Sequence, residues 1–289
     1  MLKSDPVKAE KLFPEPNHSE ANSGENSGIN NSYLSYRKFT PSISFNPEDM
    51  PEDSNDPIGI IFLGGFMSDM EGSKAVFLEK FCMERNVPFI RFDYSGHGSS
   101  SGDFCEGNIS QWLLDSLEIF DKISDGKQIV IGSSMGSWLM LLLALERSRR
   151  IHSLISIACA ADFTEDLIWK KMSEENKEKL LAGEIVDLLG DCSPEEGEDH
   201  MPYPITKQLI DDGRNNMLLD KDVINIKCPV RLLHGMRDID VPYEISIEVA
   251  KKIESDDVKV SLLKNSDHRM SSEECLTFLA KNIEELLAI

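Results

Sequence analysis

Three residues whose types together perform acyl transfer lie far apart in the chain: Ser134, Asp238 and His268. Ser134 is the middle residue of Gly132-Ser133-Ser134-Met135-Gly136, which follows the apolar stretch 128–131 and precedes the helix-like stretch 137–149. In a strand-to-helix setting, Gly-x-Ser-x-Gly forms a nucleophile elbow, a sharp turn that holds a serine Oγ clear of the backbone. Both glycines have a steric role there, because a side chain at either place would collide with the neighbouring strand or helix. A serine hydroxyl is a weak nucleophile, so it needs an imidazole to accept its proton and a carboxylate to fix the imidazole tautomer. Both lie downstream. Residues 230–242, VRLLHGMRDIDVP, read as an apolar strand running into a loop, with Asp238 three residues past Gly235. His268 sits in KNSDHRM, residues 264–270, after the last predicted strand.

Each assignment has a rival. Ser133 adjoins Ser134 but does not occupy the strained, exposed middle place. Asp240 competes with Asp238 for the acid role, and strand-Gly-x-x-Asp spacing favours Asp238. Asp267 adjoins His268 and points elsewhere unless the backbone doubles back. His97 lies in a glycine-rich turn and reads as structural, while His234 closes a strand beside the acid loop and reads as a packing or supporting residue. His18 falls in a polar tail, and His152 and His200 have no motif around them.

The elements that must hold these residues follow from composition and periodicity. A chain of 289 residues accommodates one large domain with a core that needs no disulfide staples. Its six cysteines show neither C-x-x-C nor Cys/His ligand spacing, which speaks against zinc and against a disulfide framework. That cysteine usage, and an amino terminus without a signal-like apolar core, predict a reducing compartment: cytoplasmic, with an organellar matrix as the other setting. The longest unbroken apolar run, 138–145, is far short of the roughly 20 residues that span a bilayer. A formal charge of -21 repels phosphate backbones and anionic lipid, so no nucleic-acid partner is expected. Solubility alone accounts for such acidity.

Residues 14–32 are rich in Asn, Ser, Gly and Pro and carry too little apolar area to offset ordering entropy, so 1–32 is expected to be a flexible polar tail. From 33 to 289 a single domain is expected. Strands are predicted at 33–39, 58–63, 88–93, 128–132, 153–158, 230–234 and 258–263. Helices are predicted at 74–85, 109–123, 137–149, 243–253 and 272–287, from apolar residues at three- and four-residue spacing. Such alternation implies an α/β fold with a mostly parallel central sheet flanked by helices. It fails over about 160–222, which offers only helix-spaced apolar clusters and reads as a helical insertion, or lid. The acidic run 191–199 within it reads as a solvated loop, with a metal site as the minor reading. No cofactor is called for.

With these residues in place, the chain resembles an α/β-hydrolase from about residue 33 to its end. The order Ser134, Asp238, His268 is that family's order, and Asp93-Tyr-Ser-Gly96-His97-Gly98-Ser99 is similar to its D-x-x-G-x-G-x-S signature. The runs LGGFMSDMEGSK at 63–74, SDHRM at 266–270 and His234-Gly-Met resemble one branch of the family. That branch holds the acyl-glucuronide esterase, also described as a palmitoyl-protein thioesterase, and its bacterial relatives. The resemblance implies a serine esterase or thioesterase working through an acyl-enzyme, with Ser134 as nucleophile, His268 as general base and then acid, and Asp238 orienting the imidazole. It also implies Met135 N–H and Phe66 N–H as oxyanion donors. Gly64-Gly65 stands where the family usually has His-Gly or Pro-Gly, which leaves Gly65 N–H as a substitute donor. Trp169, Met172 and the leucines of the insertion either line an acyl pocket or only pack the insertion onto the sheet. The same scaffold also serves peptidases, C–C bond hydrolases and binding proteins without catalysis.

Overall fold

The computed structural model describes residues 8–13, 32–41, 58–188 and 203–289. In chain order the sheet strands begin with β1 (Glu10–Leu12), β2 (Leu34–Phe39), β3 (Gly59–Leu63), β4 (Phe89–Phe92), β5 (Gln128–Ser133) and β6 (Ile151–Ile157). The short β7 (Val186–Asp187) and β8 (Pro204–Ile205) pair only with each other, and β9 (Val230–Gly235) and β10 (Val258–Leu263) complete the main sheet. The helices are α1 (Ser73–Arg85), α2 (Ile109–Ile123), α3 (Met135–Glu146), α4 (Glu174–Leu181), α5 (Lys207–Asn215), α6 (Glu244–Lys252) and α7 (Glu273–Leu287).

The eight-stranded sheet runs β1-β2-β4-β3-β5-β6-β9-β10, antiparallel at β1/β2 and β2/β4 and parallel elsewhere. Parallel strands buried on both faces read as continuous apolar runs, as GIIFL and QIVIGS do, and their side chains divide by period two. Ile60, Phe62, Ile129, Ile131 and Ile155 face Leu78 and Phe81 of α1 and Leu279 and Ile283 of α7. Ile61, Leu63, Val130 and Leu154 belong to the opposite core, with Trp112 of α2, Trp138 of α3 and Val249 of α6. Helix α3 is buried from Met135 to Ala144, so it is apolar all round rather than on one stripe. The chain passes from β3 out to β4 and back past β3 to β5. That reversal opens a crevice at the carboxyl ends of β3 and β5, where open α/β sheets bind ligands.

Between β6 and β9 the insertion carries α4, α5 and the β7/β8 pair. The fully buried Asp162 closes its base: the carboxylate accepts Leu218 N–H at 2.9 and 3.1 Å and Leu219 N–H at 2.7 Å. Burial raises this carboxyl to about 6 against the lowering effect of both amides. Indole N–H of Trp138 donates to Asn216 O at 3.1 Å, docking the far end of the insertion onto α3.

Two expectations need correction. The insertion is not wholly helical, since β7 and β8 pair antiparallel through Val186 with Ile205 and Asp187 with Pro204. The expected flexible tail contains a strand, because β1 pairs with β2 and Glu10 Oε2 accepts the Tyr36 hydroxyl at 2.9 Å, supplying the partners that the sequence composition did not reveal. Residues 1–7 and 14–31 of that tail, together with His18, His200 and the acidic run 191–199, lie outside the described residues.

Candidate active site

Ser134 joins β5 to α3 with φ 55° and ψ -120°, a left-handed conformation that a non-glycine residue adopts at a cost of about 1–3 kcal/mol. The strain persists because the surroundings fix it. Ser134 N–H donates to Ile157 O at 2.9 Å, and Ser134 O accepts Ser137 N–H at 2.9 Å. A Cβ at Gly132 would strike the Gly136 carbonyl, and one at Gly136 would strike the carbonyls of Leu63 and Gly64. Both glycines of the pentapeptide therefore meet the steric demand inferred for them. Ser133 is buried at the end of β5, whereas Ser134 reaches solvent.

The loops after β9 and β10 bring Asp238 and His268 to that serine. His268 Nε2 lies 3.1 Å from Ser134 Oγ, and His268 Nδ1 lies 2.7 Å from Asp238 Oδ2. A carboxylate only accepts, so Nδ1 carries the proton and Nε2 presents its lone pair to the serine hydroxyl. The Asp238 side chain is wholly buried. Burial alone would raise its pKa, but hydrogen bonds from His234, His268 and Val241 N–H outweigh that and hold the carboxyl well below the usual carboxylate range. Asp240, the rival acid, is exposed; its N–H donates to Asp238 Oδ1 at 3.0 Å. Its carboxylate approaches within 4.8 Å of the Asp238 and His268 atoms without a hydrogen bond to either ring nitrogen. Asp267 turns into its own loop, accepting Met270 N–H at 3.1 Å.

Met135 N–H opens α3, where free amides favour negative charge. Across the crevice, the turn after β3 is closed by Ser68 N–H donating to Gly65 O at 3.1 Å, with Met67 at φ 57°. Neither Met135 N–H nor Phe66 N–H has a hydrogen-bond partner among the described residues. A Cβ at Gly65 would lie 3.4 Å from Ser134 Cβ, so this turn passes close against the serine.

His97 is the residue whose part the sequence understated. Its buried ring donates Nδ1–H to Ser95 O at 3.2 Å, leaving Nε2 to accept Met67 N–H at 3.3 Å. Burial lowers its pKa to about 4, which keeps that acceptor neutral. Phe66 packs its ring against Phe104, Trp112, Phe163 and Tyr203 at centroid distances of 4.9 to 5.8 Å. Tyr203 comes from the insertion, so the insertion touches the very turn that carries the candidate donor. Of the residues assigned to pocket or packing, Met172 is buried in the core, and Trp169 lies under the cations of Lys177 and Arg214. Lys74 was legible only as part of a family-like run: its ammonium donates to Arg269 O at 2.6 Å, joining the run 63–74 to the loop that carries His268. His152 sits on β6, its Nδ1 3.2 Å from Ser153 Oγ, and takes no part in the cluster.

The model of the serine aminopeptidase S33 family matches residues 60–189. The chain is 42% identical over 229 residues to mouse palmitoyl-protein thioesterase ABHD10, mitochondrial, covering 79% of this chain and 75% of the relative. The human protein of the same name is 39% identical over 230 residues, covering 79% and 72%. Among solved structures, alpha/beta hydrolase domain-containing protein 10 from mouse superposes with a TM-score of 0.74 at 34% identity, covering 96% of this chain and 98% of that one. An Agrobacterium vitis S4 protein described as a hydrolase gives 0.81 at 30% identity, covering 98% and 100%. The chain belongs to the α/β-hydrolase family, among the relatives of the ABHD10 proteins, and is a hydrolase of that serine-dependent type.

Proposed function

We propose that the protein cleaves carboxylic esters or thioesters by way of an acyl-enzyme, using Ser134, His268 and Asp238. The observation that carries this reading is the unbroken chain of contacts from Ser134 Oγ through His268 to Asp238, at 3.1 and 2.7 Å. Ser134 Oγ attacks the acyl carbonyl as His268 Nε2 takes its proton. Asp238 holds Nδ1–H and stabilises the imidazolium. Charge developing on the carbonyl oxygen is met by Met135 N–H and Phe66 N–H, or by Gly65 N–H in place of the latter. Collapse of the adduct breaks the bond to the leaving alcohol or thiol, which receives the proton from Nε2. Water then repeats the sequence on the acyl-enzyme, releasing a carboxylic acid and free Ser134.

The substrate is a small- or medium-sized acyl ester or thioester. Thioesters gain support from the relatives' name, palmitoyl-protein thioesterase, and an organellar matrix gains support from the mitochondrial setting in that name. The insertion acts as a lid: its Tyr203 rests on Phe66 beside the reacting centre. A fluorophosphonate probe tests the nucleophile. Labelling of wild type at Ser134, absent from Ser134→Ala, is expected; folded wild type that takes no label would instead identify a binding protein on a hydrolase scaffold. Parallel series of oxygen and sulfur esters of increasing acyl length then fix the substrate class.

A further inference from the structure

His234 is a fully buried polar side chain beside the site that the proposed chemistry leaves unused. It is fully buried at the end of β9, and all its ring nitrogens have partners. Nδ1 lies 2.7 Å from Ser246 Oγ on α6. Nε2 lies 3.1 Å from Asp238 Oδ2 and 3.1 Å from Val241 O. Both groups facing Nε2 are acceptors only, so Nε2 carries a proton; in the tautomer protonated there alone, Nδ1 accepts the Ser246 hydroxyl. Asp238 Oδ2 is thus shared by two imidazole N–H groups, one from His234 and one from His268.

The geometry points to His234 as a positioning residue that sets both the aim and the acceptor strength of the Asp238 carboxylate. The inference rests on the roles proposed above for Ser134, Asp238 and His268. The Oδ1 atom is already taken by Asp240 N–H at 3.0 Å and Val241 N–H at 2.8 Å. With three fixed donors around it, the carboxylate cannot rotate away from His268. The His234 hydrogen bond also withdraws negative charge from the oxygen that stabilises the His268 imidazolium. Oδ2 is therefore a weaker acceptor for the His268 N–H than an otherwise unbound carboxylate oxygen. The two acceptors at Nε2 fix the tautomer, Ser246 holds the opposite edge of the ring, and neither His234 nor Ser246 touches the reacting atoms.

The other charges around His268 are Asp240 from the acid loop, Asp267 and Arg269 on its own loop, and Lys74 of α1, which holds Arg269 O. None of them contacts His234 through a hydrogen bond among the described residues. Substituting His234 thus leaves that surrounding charge set in place, and a change in the pH profile reports the shared carboxylate.

The test follows kcat and kcat/KM of a p-nitrophenyl acyl ester against pH. His234→Phe keeps a ring but removes the donor, and is expected to lower kcat about 10- to 100-fold with little change in KM, in the range typical of lost outer-shell partners. Its acidic limb should move up by about half to one pH unit. His234→Gln, which restores an N–H donor, should return the limb towards that of wild type. Ser246→Ala breaks the same buried contact but leaves the N–H on Asp238, so its limb should stay where wild type has it. A folded His234→Phe enzyme with the wild-type profile would overturn the inference. Should that variant not fold, the 15N imidazole shifts of wild-type His234 still decide the matter. A neutral ring protonated at Nε2 is expected, and one protonated only at Nδ1 donates nothing to Asp238 and refutes the idea. Absence of ester turnover by wild type would sink the proposed function instead, leaving the tautomer measurement standing.

Discussion

On one flank of Ser134 the site is held by backbone shape, and on the other by side-chain hydrogen bonds. The elbow and the turn after β3 place a serine and two amides through left-handed residues, Ser134 and Met67, and through glycines whose Cβ positions are occupied by neighbouring backbone. The loops after β9 and β10 instead present Asp238 and His268 on a network of imidazoles, a carboxylate and Lys74. Backbone amides cannot be deleted by substituting their own side chains, so the first flank is insensitive to most single changes beyond its serine. The second depends on polar atoms that one substitution removes, and its losses should be graded by distance from the proton being moved.

The steepest loss is expected at the pair proposed to react. Ser134→Ala or His268→Ala should reduce p-nitrophenyl acyl ester turnover by up to roughly 10⁶-fold. Near-normal rates in both would break the comparison at its centre. Next, Asp238→Asn should cost as much as about 10⁴-fold, because an amide favours the wrong imidazole tautomer. Asp240→Asn should stay within about 3-fold, as expected for an exposed side chain with no bond to the ring. A reversal of those two rates would move the acid to Asp240.

Lys74→Met should be milder, about 10-fold in kcat with KM nearly unchanged, since it only releases the carbonyl of Arg269 and loosens the loop holding His268. If Lys74 acts through His268, the substitution should add nothing in a His268→Ala background. An undiminished 10-fold effect there would show that the contact serves something other than the base.

The sheet and the candidate site residues were legible because their signals are local. Period-two and continuous apolar runs mark β3, β5 and β9, and α2 matches its predicted 109–123. The Gly-x-Ser-x-Gly run and the strand-Gly-x-x-Asp spacing mark strand ends, which are the places where side chains can meet across a parallel sheet. The insertion was not legible to the same degree: β7 and β8 are two residues each, too short for a periodic signal. Its closure by Asp162 spans 56 and 57 positions in sequence. The contacts of His97 and Lys74 were hidden for the same reason, each depending on a partner brought up by another loop.

The smallest effect examines what holds the backbone-built flank. His97 accepts Met67 N–H only when neutral, and burial among Tyr94, Phe104 and Trp112 lowers its pKa from 6.5 to about 4. Between those values the unfolded chain binds more protons at this residue than the folded one, so stability rises with pH across the window. The contribution is complete above pH 6.5 and is lost as pH falls towards 4, amounting to at most about 3 kcal/mol. His97→Phe keeps the aromatic packing and removes the titration. The buried carboxylates Asp93 and Asp115 nearby remain in both proteins. Urea unfolding at pH 7 and pH 4.5 should therefore show a larger acid-induced loss for wild type than for His97→Phe. Equal losses would mean that a charged ring is tolerated beside the turn, and that Met67 keeps its left-handed conformation without a neutral acceptor.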